Sequence, residues 1–285
     1  MKNILKWTLR IILGIVLLLV IAGFAMVMIG GSKAGKVYDP VDGLLSTVQA
    51  DSLALVHGEH LSHILGCTDC HGSNLAGQVM DDVPPFTLAS ANITPGRGGA
   101  VSNYSVKDWD RAIRHGIKPD GSGILIMPSA SYNKISDSDA EALIAYLQTL
   151  PAVDNDVPKA KVKTLGKLIL AMGAPFFEAT TAETDATGAE YGATVEFGRY
   201  FASAMCSGCH GKEFEGGPGF EPGVPAPSLL SAAKWSTDEF IRTLQSGVKP
   251  NGDSLSQGSM PASYFRNYTR DELTGIHLYL EQVFE

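Results

Sequence analysis

Cys67-Thr68-Asp69-Cys70-His71 and Cys206-Ser207-Gly208-Cys209-His210 hold all 4 cysteines of this chain, and a glycine follows each pentapeptide. On a helical turn, positions i and i+3 share a face, so the two thiols of each motif point the same way. The spacing C-x-x-C-H is the signature of covalent c-type haem attachment: the thiols add to the two vinyl groups and the adjacent His supplies an axial ligand. Three other uses of paired cysteines compete with it. A structural disulfide leaves the His unexplained. With 7 His in 285 residues, a chance His after both second cysteines has odds of (7/285)², roughly 1 in 1,700. A zinc ribbon separates its halves by about 15–20 residues, whereas Cys70 and Cys206 are 136 positions apart. A thioredoxin-like motif needs a βαβ pattern, and none is legible. Cys67, Cys70, His71, Cys206, Cys209 and His210 are therefore expected to hold two covalently bound haem c groups.

Outward from the motifs, the sequence repeats itself. Cys67 falls on Cys206 at an offset of 139. Ser105, Arg111, Gly116, Lys118, Pro119 and Gly121 then match Ser236, Arg242, Gly247, Lys249, Pro250 and Gly252 at 131. Met127-Pro128 and Tyr146-Leu147 match Met260-Pro261 and Tyr279-Leu280 at 133. The offset changes inside loops rich in Gly, Pro and Asn, where insertions are tolerated. Two copies of one haem unit are expected.

Both copies carry the same helix starts. Ser105 and Ser236 read as N-caps preceded by an aromatic residue, Tyr104 or Trp235. Asp108 and Glu239 stand at N3 and Trp109 and Phe240 at N4, a hydrophobic staple, with a capping box in the second copy. The last helices begin at Ser136 and Thr269, with Asp139 and Glu272 at N3. Their apolar positions, Leu143, Ile144 and Leu147 against Ile276 and Leu280, follow helical spacing. Further helices precede each haem motif, near Ser52–Leu65 and Thr194–Met205. No segment shows convincing strand alternation, so the fold class is all-α.

A CxxCH near the front, a Pro-flanked Met late and a terminal helix with an aromatic resemble class I cytochrome c. The first copy adds Ala91-Asn92-Ile93-Thr94-Pro95, Arg114-His115-Gly116-Ile117 and Met127-Pro128. In these it is similar to the cytochrome c subunits of membrane-bound alcohol and gluconate dehydrogenases, from about Leu53 to Val283. Those subunits usually carry three haems and a C-terminal anchor, whereas this chain has two motifs and an N-terminal apolar run. The resemblance implies a carbonyl acceptor for each proximal His ring: Pro227-Ser228-Leu229 fits the family's Pro-x-Leu, and Ala91-Asn92-Ile93 stands in for it in the first copy. Met127 and Met260 lie 56 and 50 residues after His71 and His210 at matching places in the repeat. They are the expected distal ligands, since thioether with His raises haem potential and suits electron transfer. Met80 and Met205 lack repeat partners and read as packing.

Other residues read as structural. His57, His60 and His63 recur on the first helix, where a solvated face competes with a metal or distal ligand. His115 and His277 have no duplicate. Arg97, Lys118 and Lys249 are candidate propionate partners, with exposed charge as the competing reading.

Residues Ile11–Ser32 carry no charge, and Ile11–Ile29 is a run of 19 apolar or small residues. A helix of about 20 residues spans bilayer hydrocarbon. A retained anchor, a cleaved secretory signal and a buried core helix are the three readings; the run exceeds the usual signal h-region and no A-x-A-like site follows. Lys2, Lys6 and Arg10 before the run place the N-terminus in the cytoplasm and the body outside. Five of the 22 basic residues precede Val37 with no acid among them, leaving 17 against 30 acidic residues, a net of −13. So acidic a body is a poor match for phosphate backbones, which excludes nucleic acid. Leu165–Phe177 is apolar but too short to span, and is a candidate for docking on a membrane surface or a partner.

The expected organisation is an N-terminal transmembrane anchor (1–33), a linker (34–50), a first cytochrome c domain (51–152), an interdomain linker (153–190) and a second cytochrome c domain (191–285). The expected function is single-electron transfer on the periplasmic side of a bacterial inner membrane, without catalysis. The donor would be a quinol-oxidising complex or a dehydrogenase, and the acceptor a terminal oxidase or soluble cytochrome. Sequence alone does not separate a free carrier from a subunit of a larger assembly. The alternative is a dihaem peroxidase or oxidase with one open haem, against which the two Met-Pro sites argue; a thiosulfate dehydrogenase is disfavoured because no cysteine is left over.

Overall fold

The caps read from the sequence start the helices of the computed structural model, which describes residues 2–173, 179–184, 186–217, 219, 224–255, 260 and 262–285. Ser105, Ser236 and Thr269 each accept from the N3 backbone N–H while the N3 carboxylate reaches back, a full capping box in all three. Tyr104 packs edge-on against Trp109 at 5.6 Å, completing one staple. Gly116 and Gly247, matched in the repeat, end their helices at φ 65° and 76°, where a Cβ is penalised.

In chain order the elements are α1 (Lys2–Ala34), α2 (Ser52–Ile64), α3 (Cys67–His71), β1 (Gln78–Val83), β2 (Phe86–Ser90), α4 (Val106–His115), α5 (Ser129–Tyr132) and α6 (Asp137–Gln148). There follow β3 (Lys161–Val162), α7 (Thr164–Ala171), α8 (Val195–Met205), α9 (Ser207–His210), α10 (Leu230–Ala233), α11 (Thr237–Ser246), α12 (Ala262–Phe265) and α13 (Arg270–Phe284). In each half the helix before the haem motif crosses the last helix of that half. The crossings are tight: a Cβ on Gly58 of α2 would stand 2.0 Å from the Ala142 carbonyl of α6. A Cβ on Gly198 of α8 would stand 1.9 Å from that of Gly275 of α13. Gly58 and Gly198 are 140 apart, not 139, because Gly66 (φ 75°) is an extra residue between α2 and Cys67.

The expectation of an all-α fold needs correction. β1 and β2 form an antiparallel hairpin, Gln78 opposite Ser90 and Val83 opposite Phe86, and β3 pairs with β2 through Phe86–Val162 and Thr87–Lys161. β1 is exposed at five of its six positions, so no buried face imposes the alternation by which a strand is read. In the second half, among the described residues, the counterpart is a lone bridge, Gly217 to Ala226. Residues just after Val153 return over the first half: buried Asn92 donates to the Val153 carbonyl at 2.8 Å.

The core is continuous across both halves, running from Leu61, Ile64 and Leu143 to Phe197, Phe201 and Leu273. α1 stays outside it. Its apolar window has mean hydropathy 3.1 and is 0% buried, and it is the one helix among the described residues long and apolar enough to cross a membrane. That exposure overturns the buried-core reading of the N-terminal run. Near its end α1 lies on α7, where Lys33 donates to the Leu170 carbonyl at 3.0 Å. Residues 174–177 of the apolar Leu165–Phe177 stretch, and Pro261 after Met260, lie outside the described residues.

Candidate haem sites

The motif turns fold as short helices, α3 and α9, whose cysteines are not closed into disulfides. The chain leaves both by the same path. The Gly77 and Gly216 N–H groups donate to the carbonyls of His71 and His210 at 2.7 and 2.8 Å. Leu75 and Phe214, again 139 apart, sit at φ 58° and 57° and are buried. A left-handed bulky residue is a strained one, held by its surroundings. Here the strain turns the Leu75 and Phe214 carbonyls to accept from Ile93 and Leu229 at 3.0 and 2.9 Å.

Those bonds bring Ala91 and Pro227 beneath the imidazoles. His71 Nδ1 lies 2.7 Å from the Ala91 carbonyl and His210 Nδ1 2.8 Å from that of Pro227. A ring that donates Nδ1–H to a carbonyl is fixed in one tautomer and offers Nε2 to a metal with raised basicity. Burial also holds the His71 pKa below its ordinary value, against the opposing Ala91 bond, so the ring is neutral and competent as a ligand. Burial pushes the free Cys67 and Cys206 thiols up to about 12.

Met127 and Met260 are both half-buried against the core. Ile126, directly before Met127, has φ 69°, a conformation rare for a β-branched residue. Sequence reading gave no sign of this strain, nor of the buried Ser129 hydroxyl two residues after Met127, whose Oγ has no hydrogen-bond partner. In the first half the hairpin buttresses the motif: Ser90 Oγ donates to the Cys70 carbonyl, and Gln78 Nε2 to those of Asp69 and Cys70 at 2.8 and 3.1 Å. Paired thiols on one turn and a carbonyl-oriented His in each half fit a haem c, and each half also carries a half-buried Met whose thioether is a candidate sixth donor.

The remaining candidates fall elsewhere. His57 and His60 do not form a solvated face, nor a metal cluster, of which there is none among the described residues. They meet Asp139 and Glu272 at 2.7 and 2.6 Å. His63 Nδ1 lies 3.4 Å from Thr68 Oγ1. His115 is buried against the Thr180 carbonyl and His277 against Thr237. Arg97 is in solvent beside Asp154 and Asp156. Met80 is 42% exposed on β1 rather than packed inside, while Met205 packs on the core. The buried Asp110–Arg114 pair, with exposed Asp137 as a second partner of Arg114, was missed because it has no repeat partner; Asp110 also accepts from Leu45 N at 2.9 Å and ties down the segment before α2.

Comparison with known families assigns both halves. Residues 56–151 match cytochrome c, and residues 193–280 match subunit III of cbb3-type cytochrome c oxidase. The chain is 27% identical over 273 residues to the cytochrome c subunit of a quinone alcohol dehydrogenase from Gluconacetobacter polyoxogenes, covering 84% of this chain and 58% of that subunit. It therefore spans little more than half of that relative. It is 34% identical over 125 residues to a gluconate 2-dehydrogenase cytochrome c subunit from Pantoea cypripedii, covering 40% of this chain and 28% of the other. A diheme cytochrome c-type protein of Cereibacter sphaeroides is 27% identical over 296 residues, covering 92% of this chain and 97% of its own. With two motifs folded alike, the chain carries a cytochrome c domain over residues 56–151 and a cbb3-type cytochrome domain over residues 193–280, consistent with two covalently bound haem c groups.

Proposed function

We propose that His71 with Met127, and His210 with Met260, ligate the two haem irons, and that the thioether links run from Cys67 and Cys70 and from Cys206 and Cys209. The observation that carries this reading is the twofold recurrence of a carbonyl-held His and a half-buried Met at matched repeat positions. Haem supplies the one-electron redox chemistry; the chain orients each imidazole through a backbone carbonyl. The domains are residues 51–152 and 191–285, joined by 153–190. α1, with Lys2, Lys6 and Arg10 before its apolar run and the linker 34–50 beyond it, crosses a bacterial inner membrane with the N-terminus cytoplasmic and both domains periplasmic.

Electrons pass singly from a quinol-oxidising complex or dehydrogenase to a terminal oxidase or soluble cytochrome. Relatives named as cytochrome subunits of alcohol and gluconate dehydrogenases support a dehydrogenase-side donor. In respiring membrane vesicles, adding an oxidisable alcohol or another quinol-generating substrate should reduce both haems, and oxygen should reoxidise them. Haems that stay oxidised under those conditions but consume peroxide rapidly would contradict the carrier reading.

A further inference from the structure

The short helix that follows each methionine reaches across to the other half. α12 begins two residues after Met260, and its Tyr264 donates to the Ile64 carbonyl at 2.5 Å. The same ring crowds Gly66, the residue before Cys67: a Cβ there would stand 2.7 Å from Tyr264 Cε2. Tyr268 donates to the Ile64 carbonyl as well, at 2.8 Å. The reverse contact also exists. α5 begins two residues after Met127, and a Cβ on Gly208 would stand 3.2 Å from Ser131 Oγ. Lys134, just beyond α5, donates to Ser207 Oγ at 2.7 Å and to the Ser203 carbonyl at 2.9 Å. Ser207 and Gly208 lie between the two cysteines of the second motif. Ser131 and Tyr264 are the same repeat position, 133 apart, so the exchange obeys a pseudo-twofold.

We propose that each haem-attachment turn is clamped by the segment carrying the other haem's methionine, which makes the two haem sites one coupled redox unit, with Tyr264 and Lys134 as positioning residues. The proposal rests on the ligand assignment above and goes beyond it. Separate repeats would behave independently; these share one core, and packed interiors transmit displacement rather than absorb it. A change at the Met260 ligand displaces the start of α12, and Tyr264 delivers it to Gly66 and Cys67. Lys134 adds charge: a cation beside the second motif disfavours Fe(III), which carries one more positive charge than Fe(II).

The test is a redox titration of the full-length, haem-loaded protein. Met260→Ala identifies the second haem by lowering its potential. Tyr264→Leu should change the one-electron reduction equilibrium of the other haem, at Cys67 and Cys70, by threefold or more, about 28 mV at 59 mV per tenfold. Tyr264→Phe, which keeps the ring, should restore most of it. Lys134→Met should shift the second haem toward the oxidised state by a similar factor. Should Tyr264→Leu not load haem, Lys134→Met still decides: a potential change at the second haem, across the interface, supports the proposal. Changes confined to each residue's own domain, or none, would overturn it. Failure of the ligand assignment looks different, since Met260→Ala would then leave its own haem unaltered.

Discussion

The Glu272 carboxylate of α13 accepts from the His60 ring of α2 at 2.6 Å across the boundary between the two halves. Its counterpart in the repeat, Asp139 of α6, accepts from Tyr200 of α8 at 2.5 Å, and Tyr200 is the counterpart of His60. One pair of repeat positions is thus joined twice, in opposite senses. Asp139 also accepts from Tyr191 at 2.9 Å and meets His57, which is why Ser136 caps α6 without a reciprocal capping box.

Acid should loosen this boundary. Burial pushes the Glu272 pKa up, but bonds from His60 and Thr269 outweigh it and hold it below the ordinary 4.5. A depressed carboxyl contributes stability that is present above its unfolded value and lost as pH falls through its folded one. Thermal unfolding followed from pH 7 into the range below 4.5 should show that loss, with Glu272→Gln flattening it and costing about 1–3 kcal/mol at neutral pH.

The crossing glycines are intolerant of any side chain. Gly58→Ala and Gly198→Ala each drive a methyl into a backbone carbonyl that cannot move aside without parting two helices. Each should destabilise by about 3 kcal/mol or more, read as a drop in Cm on denaturant titration, and the two should have similar size because the crossings are equivalent.

Much of this was legible in the sequence. The motifs, the duplication and the caps follow from local residue chemistry, and the carbonyl acceptors at Ala91 and Pro227 from the resemblance to class I cytochrome c. The hairpin was not, since an exposed β1 carries no alternation. The boundary was not either: His57, His60, Asp139 and Glu272 each look like ordinary polar helix positions until two helices from different halves are brought together. In the sequence His60 pairs with Tyr200 at an offset of 140, yet nothing local says that either meets a carboxylate.

Haem content should be two per chain by pyridine haemochrome, with haem-linked peroxidase staining surviving denaturation. Cys206→Ala with Cys209→Ala should halve the count. An unchanged count would remove the second site.

Orientation is checked with spheroplasts. A protease added from outside should digest both haem domains while sparing the region before α1's apolar run. Domains that stay protected until the membrane is lysed would reverse the assignment.

Salt should slow electron delivery to a basic partner, because a body of net −13 steers opposite charge and screening acts over about 8 Å at physiological ionic strength. Stopped-flow rates that do not change with added salt would indicate apolar docking or a permanent complex.

Methionine ligation at both irons is tested most directly by carbon monoxide binding to the reduced, full-length protein, with the far-red Met–Fe(III) band recorded on the oxidised form. Two His/Met haems predict the band, low-spin spectra at both irons and no CO complex in the wild type. Met127→Ala and Met260→Ala should each open one iron to CO, lower its potential and leave its haem attached through the thioether links. Rapid CO binding by one haem of the wild-type protein would contradict the account, because that iron would be open in the working state.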